Sequence, residues 1–113
     1  MASCDHLAGM FSALGGPVRV RIVQLLLRAG SQGLGVNAIK GKVRIPGSTL
    51  SHHLDRLKRH DVLTVERQGT NLRYSVNPKA LDQLAEFLTS KDRAVPPDIL
   101  QPPRGTAARA QVH

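Results

Sequence analysis

The stretch "STLSHHLDRLKRH", residues 48–60, decides how this chain is read. At about 100° per residue, Leu50, Leu54 and Leu57 fall on one face of a helix. Ser48, His52, Asp55 and Arg59 gather on the opposite face, flanked by Thr49 and Arg56. Ser48 is placed to cap the start. The two adjacent histidines look in different directions. His52 belongs to the outer face, whereas His53 points near the leucine stripe, where a half-buried ring held by a hydrogen bond is expected. His53 and His60 are about 10 Å apart along such a helix, too far to share one ion.

The flanking segments build outward from this helix. Upstream, Val36, Ile39 and Val43 keep helical spacing over 36–43, and "RIPG" (44–47) is a turn because Pro46 pushes Ile45 away from helical angles. Further upstream, "PVRVRIVQLLLRAG" starts with a proline suited to a first helical turn and ends at Gly30. It buries Val18, Ile22, Leu25 and Leu26 and exposes Arg19, Gln24 and Arg28. "SQGLG" (31–35) reads as a loop. Leu7, Met10, Phe11 and Leu14 form the stripe of a first helix, with Ser3 or Asp5 as its cap and "LGG" as its stop.

Downstream, "LTVERQ" (63–68) and "LRYSV" (72–76) alternate in polarity and are joined by "GTN", which predicts a β-hairpin with Arg67 and Arg73 on its two arms. Asn77-Pro78 is a cap followed by a proline at the first helical position. It opens a last helix to about Ser90, with Leu81, Leu84, Ala85 and Leu88 on one side. Residues 1–90 read as one domain. Residues 91–113, rich in Pro, Ala and Arg and without period, read as a flexible tail.

The whole composition agrees with a small folded domain. The chain has 113 residues, 41% hydrophobic, with Phe11, Tyr74 and Phe87 as its aromatics. Its core must therefore come from Leu, Val and Ile. Net charge is +8 and the pI near 10.9. That balance points to a polyanionic partner, most simply nucleic acid. A lone cysteine, Cys4, makes an intramolecular disulfide impossible and suits a reducing compartment. The N-terminus lacks a signal-peptide pattern, and "VRIVQLLL" is too short and too charged to span a bilayer. The expectation is a cytoplasmic protein with no membrane partner.

Helix, turn, helix and an arginine-bearing hairpin make a winged helix-turn-helix layout, mainly α with a small β element. A helix fits the major groove of B-form DNA, where its N-terminal residues meet base edges and cations farther along meet phosphates. Between residues 34 and 76 eight lysines and arginines stand against three acids, so the charge is concentrated on this face.

"GPVRVRIVQLLL", "IPGSTLSHHLDRLKRHDVL" and "VERQGTNLRYSVNP", in this order, resemble the ArsR/SmtB family of bacterial transcriptional repressors. The likeness spans roughly residues 7–90. Its most specific part is Ser48-x-x-Ser51-x-His53-Leu54, supported by Gly69-x-x-x-x-Tyr74-x-x-Asn77-Pro78. The resemblance implies a sequence-specific DNA-binding repressor. It also implies a homodimer joined through the first and last helices, whose stripes Leu7/Met10/Phe11/Leu14 and Leu81/Leu84/Leu88 suit that role. Two recognition helices would then lie about 34 Å apart on a pseudo-palindromic operator of double-stranded DNA. By position, Ser48, Thr49, Ser51 and His52 face the groove, Arg56 and Arg59 follow them, and Arg67 and Arg73 hold the wing. Gly47 stands where the family often has Gln.

Family members commonly release DNA on sensing a metal or metalloid ion. The positions that match the family's Cys-Val-Cys site are Gly35-Val36-Asn37. The last helix carries Asp82 and Glu86 but no histidine, so neither familiar ligand set is present. Cys4 and His6 are the remaining candidate effector ligands, a thiol and an imidazole two apart, fewer than a tetrahedral site needs. No cofactor is implied beyond such an ion. Catalysis is not expected: Ser51 and His52 are helical neighbours that do not face each other, and no acid orients either histidine. The alternative reading is a winged-helix module for protein interaction or non-specific DNA packaging, which would bind random duplexes as well as its own site.

Overall fold

A computed structural model describes residues 3–90, and the tail expected over 91–113 lies outside them. Five helices and three short strands follow in order: α1 (Cys4–Leu14), α2 (Pro17–Ala29), β1 (Leu34–Gly35), α3 (Val36–Val43), α4 (Gly47–Arg59), β2 (Leu63–Gln68), β3 (Asn71–Val76) and α5 (Pro78–Thr89). A single 3-10 turn at Gly30–Gln32 links α2 to β1. Among the described residues no single helix is long and apolar enough to cross a membrane.

The helix ends follow from their terminal residues. The Ser3 hydroxyl accepts from the His6 N–H and caps α1. Pro17 opens α2, where a missing N–H costs nothing. The Asn77 side-chain oxygen accepts from the Lys79 N–H and caps α5, and its amide also donates to the Asp61 carbonyl. Ser48 does not cap α4. Pro46 occupies the cap position, its carbonyl accepts from Leu50, and Ser48 is the second helical residue. Proline's extended ψ of 148° already delivers the chain to the helix start, which moves the boundary ahead of the serine.

The far end of α4 closes with two backbone bonds, Val62 N–H to the Leu57 carbonyl and Asp61 N–H to the Lys58 carbonyl. This is a Schellman motif, with Asp61 in the left-handed region at φ 64° and Val62 buried beside Leu57. The motif turns the chain sharply into β2.

The sheet is antiparallel with order β1-β3-β2. The expected hairpin is present, with its turn shortened to Gly69-Thr70 because Asn71 pairs with Gln68. Gly69 has φ +63° at the first of the two turn positions, where a tight hairpin favours glycine. The third strand is a departure from the sequence expectation. Leu34 and Gly35, read as loop, pair with Tyr74 and Arg73. Two residues are too few for an alternating pattern to register.

The core gathers Met10, Ala13, Ile22, Val23, Leu26, Ile39, Leu50, Leu54, Leu57, Val62, Leu63, Ala80 and Leu84, drawn from every helix. Burying each leucine side chain is worth about 1.5–3 kcal/mol, so the stripe on α4 alone contributes several kcal/mol. No buried polar side chain atom lacks a partner among the described residues.

Two glycines should respond to alanine in opposite directions. Gly33 is buried at φ +68°, and a Cβ there would meet the Tyr74 carbonyl oxygen at 2.2 Å. Gly41 lies in the interior of α3 with open space around it. In urea titrations Gly33→Ala should lose about 2 kcal/mol or more, whereas Gly41→Ala should gain about 0.5–1 kcal/mol.

Candidate nucleic-acid interface

The buried leucines settle which way α4 faces. Leu50, Leu54 and Leu57 are at most 1% exposed, which turns Ser48, Thr49, Ser51 and His52 outward, all exposed. The helix start adds to this face. It carries no side-chain cap, so its first N–H groups remain available at the positive end of the helix dipole. The preceding turn brings cations close. Arg44 sits in the left-handed region (φ 56°, ψ 52°), and a Cβ on Gly47 would lie 3.6 Å from the Lys40 ammonium.

The basic residues along α4 divide. Arg59 is exposed and faces Asp55 at 3.3 Å, a surface pair of small energetic weight. Arg56 turns the other way, half-buried, and its Nη2 donates to the Ser12 hydroxyl on α1 at 2.7 Å. His53 is half-buried, as its place beside the leucine stripe requires. Its Nδ1 lies 3.1 Å from the Arg19 Nη1, and the Arg19 Nε donates to the Ala13 carbonyl. Burial, then the Arg19, His52 and Arg56 charges, hold the His53 ring below its ordinary value of 6.5.

Arg19 is therefore not the exposed residue that periodicity indicates. The guanidinium reaches back to α1 because Gly16 leaves room, and a Cβ there would approach it to 2.9 Å. The Gly15-Gly16 pair is the one trace of this contact in the sequence.

The wing also divides. Its strand register puts Arg67 opposite Leu72 and Arg73 opposite Glu66. The two arginines thus lie on opposite faces of the hairpin, because the pleat alternates sides at every residue. Arg67 is exposed, as is Leu72 beside it. Arg73 is half-buried and donates from Nε to the Gln32 carbonyl and from Nη2 to the Gly33 carbonyl, both at 2.9 Å. It ties β3 to the turn before β1. The sequence placed the two on the hairpin's two arms, where they lie, one on β2 and one on β3. The register separates them.

The effector candidates are not drawn into one site. Cys4 is exposed at the first position of α1, and the His6 Nε2 lies 3.9 Å from the Asp61 carboxylate. Among the described residues no three His, Cys, Asp or Glu side chains stand close enough to hold a metal ion. Gly35 and Asn37 border an open cleft between α3 and the wing tip, with Thr70, Asn71 and Leu72 across from them.

Comparison with known proteins agrees with this geometry. The family profile described as "Helix-turn-helix domain" matches residues 14–66. An uncharacterised HTH-type transcriptional regulator of Methanocaldococcus jannaschii is 34% identical over 80 residues, covering 70% of this chain and 88% of that protein. An ArsR-like transcriptional regulator from Rhodococcus sp. RHA1 has the same fold, with a TM-score of 0.66 at 21% identity over 74% of this chain and 76% of that one. The Mycobacterium tuberculosis protein Rv0081 matches with a TM-score of 0.59 at 30% identity, over 72% of this chain and 80% of the other.

The different bonding of the two wing arginines is measurable. Arg73→Ala removes two charge-assisted bonds to carbonyls and should lower unfolding free energy by about 1–3 kcal/mol in urea. Arg67→Ala, fully outward, should change it by no more than about 0.5 kcal/mol.

Proposed function

We propose, for a chain that belongs to the helix-turn-helix transcriptional regulators in their winged ArsR/SmtB form, that it is a homodimeric repressor of one pseudo-palindromic operator. The family is one of DNA-binding regulators and not of enzymes. The observation that carries the finer reading is the exposed Ser48, Thr49, Ser51 and His52 on a helix whose opposite face is fully buried. Hydroxyls and an imidazole offer donors and acceptors to base edges in a major groove. Arg59 and Arg67 contact phosphates, and so do Lys40 and Arg44 at the turn. Arg56 and Arg73, bonded to Ser12 and to the loop carbonyls, hold α4 and the wing in place for those contacts.

The homodimer is supported by apolar surface on α1 and α5. Phe11 and Phe87 meet edge to face at 5.9 Å between ring centres, and both remain exposed together with Leu88. Exposed apolar groups clustered at two helices are the usual mark of a protein interface. Met10 and Leu84, assigned to the same stripes from sequence, are buried in the subunit's own core. Residues 1–90 carry fold, dimer contact and DNA face in this reading. The protein acts in the cytoplasm and leaves its operator when an effector binds, with Cys4 and His6 the candidate contacts for that effector.

Selection from a random duplex library followed by gel-shift titration tests the reading. One motif with two half-sites should emerge, bound roughly 10³-fold or more above random duplex. Ser51→Ala and His52→Ala should each cost about 1–3 kcal/mol on that motif and little on random DNA. Arg67→Ala should weaken both alike and reduce the salt slope by about one. Equal affinity for motif and random DNA would instead mark a packaging module. In sedimentation, Phe87→Arg should turn the dimer into a folded monomer.

A further inference from the structure

We propose that Arg19 and His53 form a positioning lock that registers the recognition helix α4 against α1, and that a proton on His53 opens it. The inference rests on the reading of α4 as the DNA-facing helix and adds a control to it.

The chemistry of the two side chains fixes the direction of the bond. A guanidinium has donors only. At 3.1 Å from the Arg19 Nη1, the His53 Nδ1 must therefore accept, which leaves the ring neutral with its proton on Nε2. The same guanidinium donates through Nε to the Ala13 carbonyl. That carbonyl lies in the last turn of α1, where a helix has no partner of its own and a cation is favoured. One residue of α2 thus joins the end of α1 to the middle of α4. A second tie runs parallel to it. Arg56, one turn beyond His53, donates to the Ser12 hydroxyl at 2.7 Å. Both ties end on adjacent residues of α1, Ser12 and Ala13.

The ends of this lock lie beside the parts that matter for DNA binding. His53 is the immediate neighbour of His52 on the outward face. Ala13 lies two residues from Phe11, which is on the exposed apolar surface of α1. The lock therefore fixes the position of α4 relative to the end of α1 within the subunit. Gly16 makes it possible, because any Cβ there would intrude on the Arg19 guanidinium.

A proton arriving at Nδ1 turns the acceptor into a donor. Two N–H groups then face each other, and the bond to Arg19 is lost. The new charge also stands among cations. The charged or titratable groups acting on His53 are Arg19 from α2 and His52 and Arg56 from its own helix, and all of them oppose protonation, as does burial. α1 brings the neutral Ser12 hydroxyl and Ala13 carbonyl to the two ties. The locked state therefore binds this proton less readily than an open or unfolded chain does. The lock is at full strength well above pH 6.5, and opening becomes favoured progressively as pH falls through and below that value.

The test compares wild type with His53→Asn, whose side-chain oxygen sits where Nδ1 does and accepts from Arg19 at every pH. Asparagine and histidine have similar helix propensity, so the variant should fold, as circular dichroism would verify. The probe is the duplex enriched from a random library by the wild-type protein, titrated by fluorescence anisotropy at constant ionic strength from pH 8 to 5.5. The affinity of His53→Asn relative to wild type should be near one at pH 8 and rise by about threefold or more at pH 5.5. Arg19→Gln should bind the duplex more weakly at pH 8 and show a smaller loss on acidification than wild type. Independently of any variant, the His53 imidazole nitrogens in the wild-type NMR spectrum should report Nε2–H with a bare Nδ1 at pH 8. A flat affinity ratio across the pH range would overturn the lock, as would a protonated Nδ1 at pH 8. Failure to enrich any duplex would overturn the DNA reading itself, a result distinct from either.

Discussion

The burial of Leu50, Leu54 and Leu57 is the constraint on which the rest of the molecule depends. These side chains have at most 1% of their surface exposed, on a helix that packs against α1, α2 and β2. Rotating α4 by one residue, about 100°, would lift all of them partly into water at a cost of several kcal/mol. Among the described residues no surface ion pair has comparable weight. The outward direction of Ser48, Thr49, Ser51 and His52 is therefore a by-product of apolar packing. Function here is written on the face that the core leaves over.

Fixing a rotation is not enough to place a helix, and the ends of α4 supply the remaining coordinates. At one end Pro46 and the left-handed Arg44 set the angle between α3 and α4. At the other, the Schellman motif at Asp61 and Val62 turns the chain into β2. Asn77 then closes the circuit, with its N–H on the Val62 carbonyl, its amide on the Asp61 carbonyl and its oxygen on the Lys79 N–H. The wing and α5 consequently leave from a point anchored to the recognition helix itself.

The arginines show how a basic protein divides its charge between partner and fold. Those with no carbonyl or ring in reach among the described residues, such as Arg67, stay outward, where a phosphate backbone attracts them at long range. Arg19, Arg56 and Arg73 turn inward to Ala13 and His53, to Ser12, and to Gln32 and Gly33. A guanidinium carries several donors in a planar fork, so one side chain can join two elements at once. In a domain with three aromatics and a modest core, such cross-links give orientation that packing alone leaves loose.

The sequence by itself determined what depends on local repetition. Leucine spacing on α4, the alternation of 63–68 and 72–76, and the Pro17 and Asn77-Pro78 signals sufficed for the helices, the hairpin and the outward head of α4. These features arise from contacts between near neighbours along the chain, whose spacing can be read directly. Tertiary structure alone decided the rest. Leu34 and Gly35 become a strand because β3 lies beside them. Ser48 loses its capping role because the chain enters α4 at Pro46, two residues earlier. Met10 and Leu84 go inward while Phe11 and Phe87 stay out. Arg19, Arg56 and Arg73 find partners between 6 and 44 residues away along the chain, as Arg19 to Ala13 and Arg56 to Ser12 mark the two limits. A long flexible side chain takes whatever acceptor the fold brings within reach, and no periodicity in its own neighbourhood records which acceptor that is.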